Sequence, residues 1–365
     1  MAGLYVHIPF CRSRCIYCGF YSTTALDLRQ RYVDALCREW QLRRQEMTAP
    51  LDTIYLGGGT PSQLLPAQLQ QLFDALPSAG AEVTMEVNPD DVTALFAGAL
   101  SRLPITRISM GAQTFSDGRL KMLHRRHSAG QVTEAVSRLR NAGISNISID
   151  LMYGFPDETL ADWLSDIDSA LSLNVEHLSA YCLMVEEGTP LYGMLHLEDM
   201  LSEDLERTMY ECLLDRLESA GFEHYEISNF ARPGFRSRHN SCYWDGTPYL
   251  GIGAAAHSYD GKTRSWNISD IRKYISGINS GERLFEEEII DDDTRYNDLV
   301  TVALRTCEGL DLNSLSALHR DYCMKNARRF LDNGLLRLTT DNHLALTRQG
   351  LFVSDMIMSE LMYVC

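Results

Sequence analysis

The chain has 365 residues, of which 45% are hydrophobic and 22% are charged, a composition typical of a globular protein large enough for a barrel and an additional module. No apolar run approaches the roughly 20 residues of a membrane span, and no signal peptide is recognisable. We therefore expect a cytoplasmic protein whose ten cysteines are free thiols or metal ligands. The net charge of -16 argues against a nucleic-acid partner, because binding to phosphates depends on Lys and Arg.

Six short apolar or β-branched segments recur along the first half of the chain and predict strands. Helical patterns lie between them, and Gly or Asn often marks where they end. This alternation predicts an α/β fold with parallel strands and functional residues at the carboxyl ends of the strands. The predicted strands are Leu4–Ile8, Thr53–Leu56, Val83–Val87, Ile105–Met110, Ile147–Met152 and His177–Cys182, and the clearest helical patterns are Leu28–Trp40, Leu64–Leu76, Val132–Leu139 and Leu160–Leu171.

Three cysteines with CxxxCxxC spacing, Cys11, Cys15 and Cys18, follow the first predicted strand. A structural zinc site usually has four ligands arranged as two separated pairs, whereas a cubane iron–sulfur cluster takes one thiolate per iron. Three cysteines would leave one iron open to a substrate or cosubstrate. The alternative is three unrelated core cysteines, but Arg12 and Arg14 would make this segment a poor apolar core.

The glycine-rich loop Gly57–Pro61 follows the second predicted strand. Its glycines would let the backbone approach a small ligand closely, although a tight barrel turn would use the same residues. Polar side chains also follow the next three strands, at Glu86, Gln113 and Asp150. Because the carboxyl ends of parallel strands meet at one face, we expect these residues and the cysteines to form one site.

With these motifs together, the sequence resembles the radical S-adenosylmethionine (SAM) superfamily, in which CxxxCxxC follows the first strand and a GGxTP-like loop ends the second. Met85–Pro89, Ser109–Phe115, Leu123–His127 and Ser148–Pro156 further resemble the oxygen-independent coproporphyrinogen III oxidase family. The resemblance covers nearly the whole chain. It implies a partial (β/α)6 TIM-like barrel of the radical SAM type.

The resemblance also implies a role for each motif. Cys11, Cys15 and Cys18 would ligate a [4Fe-4S] cluster, and SAM would chelate the fourth iron and be cleaved after electron transfer from a donor. A carboxylate such as Asp150 suits ribose hydroxyls, and Arg125 suits the methionyl carboxylate. The alternative for Arg125 or Glu86 is a surface ion pair. The residues assigned to SAM are Tyr5, Gly58, Gly59, Thr60, Glu86, Gln113, Arg125 and Asp150.

Two departures separate the chain from the coproporphyrinogen-oxidising branch of that family. The oxidases carry a further cysteine two positions after the third cluster ligand, where this chain has Phe20. They also carry a substantial segment before the first strand, which we expect to be absent here. Both departures favour the heme chaperone branch of the family and place oxidase activity in doubt.

Arg238–Trp244 resembles the HNxxYW signature of the heme chaperone branch. The resemblance implies that His239 is a heme ligand, and imidazole is a natural axial donor to heme iron. The aromatic residues at 243 and 244 would offer apolar faces to a porphyrin. The alternative is that His239 and its aromatic neighbours only pack the second layer under the barrel mouth, and Cys242 and His257 are rival ligands.

The strand–helix alternation fades after about residue 185. We expect a helix over Ser202–Ala220, a less regular second layer that includes Gly251–His257, and a solvated acidic connector at Glu282–Asp293. The remainder resembles a winged-helix layout, but equal numbers of basic and acidic residues favour a packing or partner module over DNA binding. The predicted domains are a barrel at 1–185, a family-specific extension at 186–285 and a winged-helix-like α+β module at 286–365.

The leading hypothesis is a radical SAM protein that binds heme and delivers it to acceptor hemoproteins, with respiratory enzymes as the first candidates. The alternative is an oxygen-independent coproporphyrinogen III oxidase of porphyrin biosynthesis. A third hypothesis is a heme-degrading radical methyltransferase. The sequence leaves open whether the protein is an enzyme, whether it forms a homodimer, and whether a partner brings it to a membrane.

Overall fold

A computed structural model describes residues 2–47, 49–194 and 200–364 of the chain. Short 3-10 turns join several of the elements. The strands are β1 Gly3–Ile8, β2 Thr53–Gly58, β3 Glu82–Val87, β4 Arg107–Gln113, β5 Asn146–Tyr153, β6 His177–Cys182, β7 Glu223–Glu226, β8 Asn229–Ala231, β9 Tyr249–Ile252, β10 His257–Tyr259, β11 Thr263–Asn267, β12 Phe285–Ile289, β13 Leu310–Asp311, β14 Leu336–Leu338 and β15 His343–Leu346. The helices are α1 Arg29–Arg43, α2 Pro66–Ala75, α3 Ala94–Leu100, α4 Asp117–Met122, α5 Ala129–Asn141, α6 Leu160–Ser172, α7 Glu203–Ser219, α8 Arg238–Trp244, α9 Ile271–Ser280, α10 Asp292–Ala303, α11 Ala317–Asp332 and α12 Ser354–Leu361.

Strands β1 to β6 run parallel and pair in the order of the sequence. Helices α1, α2, α5 and α6 form where helical patterns were predicted. The α/β prediction with a partial TIM-like barrel is therefore confirmed. Within the described residues, no helix is both long and apolar enough to cross a membrane.

Side chains along the parallel strands alternate between two kinds of surroundings. On β1, Leu4, Val6 and Ile8 are fully buried in the main hydrophobic cluster, which also contains residues of α1 and α2. The residues between them, Tyr5 and His7, point to the opposite face, because successive side chains of a strand do so. The residues that pair with Tyr5 and His7 from strand to strand form an inward-facing layer. Each of the six strands contributes polar residues to this layer. The interior of the barrel is therefore polar, unlike the layers of branched apolar residues that fill most TIM barrels.

Hydrogen-bonded caps fix where several helices begin. The backbone N–H of Ser128 donates to the side chain of Gln131 at 2.9 Å, which starts α5 with a capping box. Thr159 and Asp162 form the reciprocal pair at the start of α6, with distances of 3.0 and 3.2 Å. Ser202 caps α7, so the predicted helix over residues 202–220 is confirmed. These caps fix the starts of three of the helices that connect the later strands of the sheet.

The second layer expected after residue 185 does not form as a separate layer. Strands β9 to β12 extend the barrel sheet beyond β1, and β8 and β7 extend it beyond β6, so that all twelve strands belong to one sheet. Local patterns cannot show this, because the pairing partners of these short strands lie far away in the sequence. The predicted domain boundaries remain a prediction.

The acidic residues at 282–293 were expected to form a solvated connector, and those at 285–289 are solvated but form a strand instead of a connector. Phe285–Ile289 is β12, which pairs antiparallel with β11 at the edge of the sheet. All five residues are exposed, and Arg264 on β11 forms a 2.8 Å ion pair with Glu288 directly opposite. The acidic side chains therefore stay in water while the backbone groups pair, and a cross-strand cation reduces their repulsion.

Residues 292–361 contain a second, smaller hydrophobic cluster. Helices α10, α11 and α12 pack on an antiparallel sheet with the order β13-β15-β14. Tyr296, Cys323, Phe330 and Leu361 are among the buried members of this cluster. This arrangement agrees with the expected winged-helix-like α+β module.

The buried carboxylate of Glu39 joins the barrel to the strands added beyond β1. It lies on α1 and accepts hydrogen bonds from Arg43 at 2.9 Å, from the backbone of Gly253 at 2.8 Å, from Asn267 at 2.8 Å and from Tyr274 at 2.6 Å. These partners come from α1, the segment after β9, β11 and α9. One fully buried side chain therefore satisfies donors from four parts of the fold.

We expect Glu39→Ala to lower the free energy of unfolding of the apoprotein by about 3–5 kcal/mol, because it leaves a buried cation and several donors without their acceptor. Glu46→Ala is the matched control, because Glu46 also pairs with Arg43 but its side chain is 51% exposed. Glu46→Ala should lower the free energy of unfolding by less than about 1 kcal/mol. Urea denaturation measures the free energy of unfolding of both variants. Equal losses of stability in the two would contradict this account of Glu39.

Candidate functional site

The loops that follow β1 and β2 lie side by side at the carboxyl end of the barrel. The backbone N–H of Gly59 donates to the carbonyl of Ile8 at 2.9 Å, and a Cβ atom on Gly59 would lie 2.6 Å from the carbonyl carbon of Pro9. Gly58 has a φ of 109°, which favours glycine. The glycine loop is therefore fitted against the start of the cysteine loop, and larger residues would separate the two.

The predicted cluster ligands Cys11, Cys15 and Cys18 all lie on the loop after β1. The sulfur of Cys11 is 3.6 Å from the Thr60 hydroxyl, and the sulfur of Cys15 accepts a hydrogen bond from Arg125 at 3.6 Å. Burial raises the pKa of Cys11 and of Cys18, and the Cys15 thiol raises both further. The thiols therefore lie close enough to influence one another. Among the described residues, no three Cys, His, Asp or Glu side chains are arranged to hold a single metal ion.

Arg125 connects the cysteine loop to the ends of two strands. In addition to its bond to Cys15, its guanidinium donates to the side chain of Asn88 at 2.9 Å and to the carbonyl of Gly111 at 2.5 Å. Asn88 in turn donates to the Thr60 hydroxyl at 3.3 Å. A chain of hydrogen bonds therefore joins the loops after β1, β2 and β3 around the three thiols.

Glu86 lies near the end of β3 and is held on both oxygens. Tyr55 donates to one oxygen at 2.8 Å, and the backbone N–H of Gly58 donates to the other at 3.2 Å. Burial raises the pKa of Glu86 to about 7, against the lowering effect of the Tyr55 hydrogen bond, and the nearby Asp150 carboxylate adds to the increase. This carboxyl group therefore changes its charge close to neutral pH.

Asp150 on β5 is the second carboxylate of the site. Burial raises its pKa, whereas hydrogen bonds from Ser179 and Ser109 and the charge of Arg107 act in the opposite direction. The Ser109 hydroxyl lies 3.2 and 3.3 Å from the two carboxylate oxygens. The arrangement offers an oriented acceptor to ligand hydroxyl or amino groups.

Gln113 and Tyr5, two further residues predicted to bind SAM, lie at different heights along the barrel. Gln113 ends β4 at an irregularity of the β4–β5 pairing and has a φ of 69°, which directs it back over Gly111. Tyr5 lies one inner layer below the glycine loop, and its hydroxyl is 3.0 Å from Nδ1 of His7. Seven of the eight residues predicted to bind SAM thus lie towards the carboxyl end of the barrel strands. Tyr5 lies deeper, where its ring stacks on that of His239 with 6.5 Å between the ring centroids.

Sequence reasoning missed several residues that orient this site. Asn88, Ser109, His7 and Ser179 all contact predicted site residues or lie beside them. Asn88 and Ser109 fall inside motifs that were already recognised, at the end of β3 and within β4, so their positions were a usable signal. His7 and Ser179 carry no motif, and only the inward-facing register identifies them.

The predicted heme ligand His239 lies at the opposite, amino-terminal end of the barrel strands. Its Nδ1 is 2.8 Å from the hydroxyl of Thr53, the first residue of β2, and its Nε2 is 3.0 Å from the hydroxyl of Tyr243. The backbone N–H of His239 donates to Glu82, the first residue of β3, at 3.3 Å. His239 is 1% exposed, and burial lowers its pKa to about 3. Heme ligation by His239 stays a prediction, and both of its ring nitrogens already have partners here.

The two rival ligands lie apart from the thiol site as well. Cys242 is buried on α8 and donates to the carbonyl of Arg238 at 3.3 Å. His257 is exposed on β10 and stacks on Trp266 at 5.7 Å between ring centroids. Neither residue shares a contact with the three thiols.

Comparison with known proteins identifies the family to which the chain belongs. A family model for the radical SAM superfamily matches residues 5–170, which contain the cysteine loop and all eight predicted SAM residues. The heme chaperone HemW of Mycobacterium tuberculosis is 34% identical over 99% of this chain and 94% of its own length. HemW of Bacillus subtilis is 39% identical over 76% of each chain. The radical SAM enzyme HemN of Escherichia coli, a coproporphyrinogen III oxidase, has a TM-score of 0.85 at 22% identity, covering 99% of this chain and 90% of its own, which supports the fold alone.

The barrel, the three-cysteine loop and the family match define a radical SAM protein. Within that superfamily, the chain belongs to the family of the heme chaperone HemW. This family implies a [4Fe-4S] cluster and SAM. The donor set fits them, because three thiols lie on one loop, Arg125 donates to the Cys15 sulfur, and the Glu86 carboxylate is held at the same end of the barrel. A bound cluster would supply an iron to which SAM can bind.

We expect Arg125→Met to lower both the iron content after anaerobic reconstitution and the affinity for SAM, the latter by about tenfold, because charge-assisted hydrogen bonds are worth about 1.5–3 kcal/mol each. Arg126→Met is the matched control, since its guanidinium pairs with Asp90 at 2.6 Å instead of with the cysteine loop. Iron analysis and equilibrium dialysis measure the two effects. Wild-type values for Arg125→Met would contradict its role in holding the loop.

The raised pKa of Glu86, about 7, predicts a pH dependence of SAM binding. As pH falls through 7 the carboxylate becomes protonated and loses its charge-assisted bonds to ligand donors, so SAM affinity should weaken from about pH 8 to about pH 6. Glu86→Gln should bind more weakly at pH 8 and lose most of this dependence. Glu134→Gln, on the exposed face of α5, is the control and should keep the wild-type profile. Identical profiles for Glu86→Gln and the wild type would contradict the assignment.

Proposed function

We propose that this protein is a radical SAM heme chaperone that binds heme and transfers it to acceptor hemoproteins. One observation carries the proposal: the similarity to HemW of Mycobacterium tuberculosis extends over 99% of the chain, so it includes the carboxyl-terminal module as well as the barrel. In this proposal Cys11, Cys15 and Cys18 hold the cluster. The strand-end residues described above hold SAM beside it.

The cysteine loop supports a chaperone over an oxidase. Phe20 follows Cys18 by two positions, where the resemblance gives the oxidases another cysteine, and its side chain is 71% exposed. An exposed phenyl ring cannot replace a thiol in cluster or substrate chemistry, but it suits contact with an apolar ligand or a partner. The fold similarity to HemN is shared by proteins of different function and does not favour oxidase activity.

The proposal includes partners beyond heme. An acceptor hemoprotein must receive the heme, and an electron donor is needed if the cluster reduces SAM. The expected cytoplasmic location, the homodimer and the association with a membrane through a partner remain predictions. None of them enters the test below.

We expect the reconstituted protein to bind heme saturably and to pass it to an apo-hemoprotein, without converting coproporphyrinogen III. The test divides one anaerobically reconstituted sample between a hemin titration with transfer to an apo-hemoprotein and a coproporphyrinogen III turnover assay. The unreconstituted sample is the control for dependence on the cluster.

Turnover to protoporphyrinogen with stoichiometric 5′-deoxyadenosine would replace the chaperone proposal with the oxidase. Loss of heme together with methyl transfer from SAM would replace it with the heme-degrading methyltransferase. Absence of saturable heme binding would reject the chaperone outright.

A further inference from the structure

A row of polar side chains crosses the interior of the barrel below the predicted SAM carboxylates. Thr84 on β3, Arg107 on β4 and Asn146 on β5 are neighbours in the pairing register. The residues that alternate with them on these strands belong to the main hydrophobic cluster, so the three side chains face the interior. Thr84 lies two residues before Glu86 on the same face of β3. The row therefore forms the layer directly beneath the site.

Each of these three side chains has a buried polar atom without a hydrogen-bond partner among the described residues. The atoms are Oγ1 of Thr84, Nε of Arg107 and Oδ1 of Asn146. Arg107 is 1% exposed, and it forms no ion pair with a carboxylate of the described residues. Buried polar groups in proteins are normally satisfied, so three such atoms in one row require an explanation.

The placement of Arg107 does not stabilise the fold in the way that other buried arginines do. Arg43 is also buried, but its guanidinium lies 2.9 Å from the carboxylates of both Glu39 and Glu46. A buried charge without such partners lowers the stability of the folded chain. Proteins retain features of this kind mainly at functional sites. Arg107 is therefore a candidate for a role in the site above it.

The two carboxylates of the site lie within the electrostatic reach of Arg107. Burial raises the pKa of Asp150 and of Glu86, and the charge of Arg107 opposes this effect at both groups. Ser109, two residues further along the same face of β4, contacts both oxygens of Asp150 at 3.2 and 3.3 Å. Arg125 also acts on Asp150, in the same direction as Arg107. Strand β4 therefore presents both a hydroxyl and a cation to the carboxylate.

The other titratable groups that face Arg107 or the carboxylates are neutral near pH 7. Burial raises the pKa of Tyr55 and of Tyr181, and it raises the pKa of Tyr225 to about 12. Burial lowers the pKa of His177 well below its usual value, and the charge of Arg107 adds to this decrease. Among the described groups around this cation, the two site carboxylates are therefore the ones that can carry negative charge.

We propose that Arg107 is a positioning residue for SAM, which acts through Asp150 and Glu86 by holding both in the charged form that accepts hydrogen bonds from the ligand. Its guanidinium forms no ion pair with the described residues, so its charge is not neutralised by a nearer partner. Charge-assisted hydrogen bonds are roughly twice as strong as neutral ones, which gives the charged forms their value for binding. The inference rests on the proposed function only through the SAM site, and heme does not enter it.

The test measures SAM affinity of the anaerobically reconstituted full chain by equilibrium dialysis between about pH 6 and about pH 9. Arg107→Met should weaken binding by about tenfold at about pH 8, because both carboxylates lose the cation that favours their charged forms. Their pKa values then rise, so the loss of affinity as pH falls should begin about one pH unit higher. Arg107→Lys keeps the charge and should keep most of the affinity and the wild-type profile. Arg138→Met, whose guanidinium pairs with Glu134 on α5 at 2.6 Å, is the matched control.

Two further measurements distinguish this role from a structural one. Arg107→Met should leave the free energy of unfolding of the apoprotein unchanged or increase it, because it removes a buried charge without an ion-pair partner. In an Asp150→Asn background, Arg107→Met should weaken SAM binding by clearly less than tenfold, because one of the carboxylates on which it acts is gone.

The outcomes separate this inference from the proposed function. A wild-type chain that fails to bind SAM would reject the SAM site itself, and failure of the hemin titration would reject the chaperone while leaving Arg107 untouched. If the wild type binds SAM but Arg107→Met matches Arg138→Met, only the role of Arg107 is wrong. The role is also wrong if Arg107→Met unfolds the chain, if Lys and Met weaken binding equally, or if the pH profile does not shift.

Discussion

The pairing register of the six parallel strands is the constraint on which the rest of the structure depends. Successive side chains of each strand point to opposite faces, so apolar residues face the helices and polar residues face the interior. The register of β1 to β6, which pair in sequence order, keeps these two faces aligned from strand to strand. A slip of one residue on β3 would move Glu86 outward and put Met85 or Val87 inside. The site at the carboxyl end therefore depends on the same alternation that buries the hydrophobic core.

That alternation also explains what the sequence could predict. The six strands, the helices between them and the convergence of Cys15, Glu86 and Asp150 follow from local patterns and from the geometry of parallel sheets. The edge strand β12 could not be predicted from the sequence. Its charged residues indicate exposure to solvent, and they give no sign that its backbone pairs with β11. The sequence also could not predict at which end of the barrel His239 lies, since a short helix can pack at either end.

The two ends of the barrel consequently have different roles. The carboxyl end holds the three thiols on the loop after β1 and the carboxylates on β3 and β5, and Arg125 connects the thiol loop to Asn88. The amino end is closed by α8, where rings of Tyr5, Tyr55 and His239 lie within 6.5 Å of one another. A signature motif can thus matter for the fold of the site without contacting the cluster, and the HNxxYW resemblance alone does not distinguish a ligand from a closing element.

The electrostatics of the interior connect ligand binding to stability. Burial raises the pKa of Glu86 and Asp150, and the buried cation Arg107 only partly opposes this. SAM carries a sulfonium and an amino group, so its binding beside these carboxylates would favour their charged forms and return part of the desolvation cost. A ligand that binds only the folded chain also stabilises it in proportion to its affinity. Binding of SAM at the predicted residues would therefore stabilise the charged forms of the two buried carboxylates as well as the folded chain.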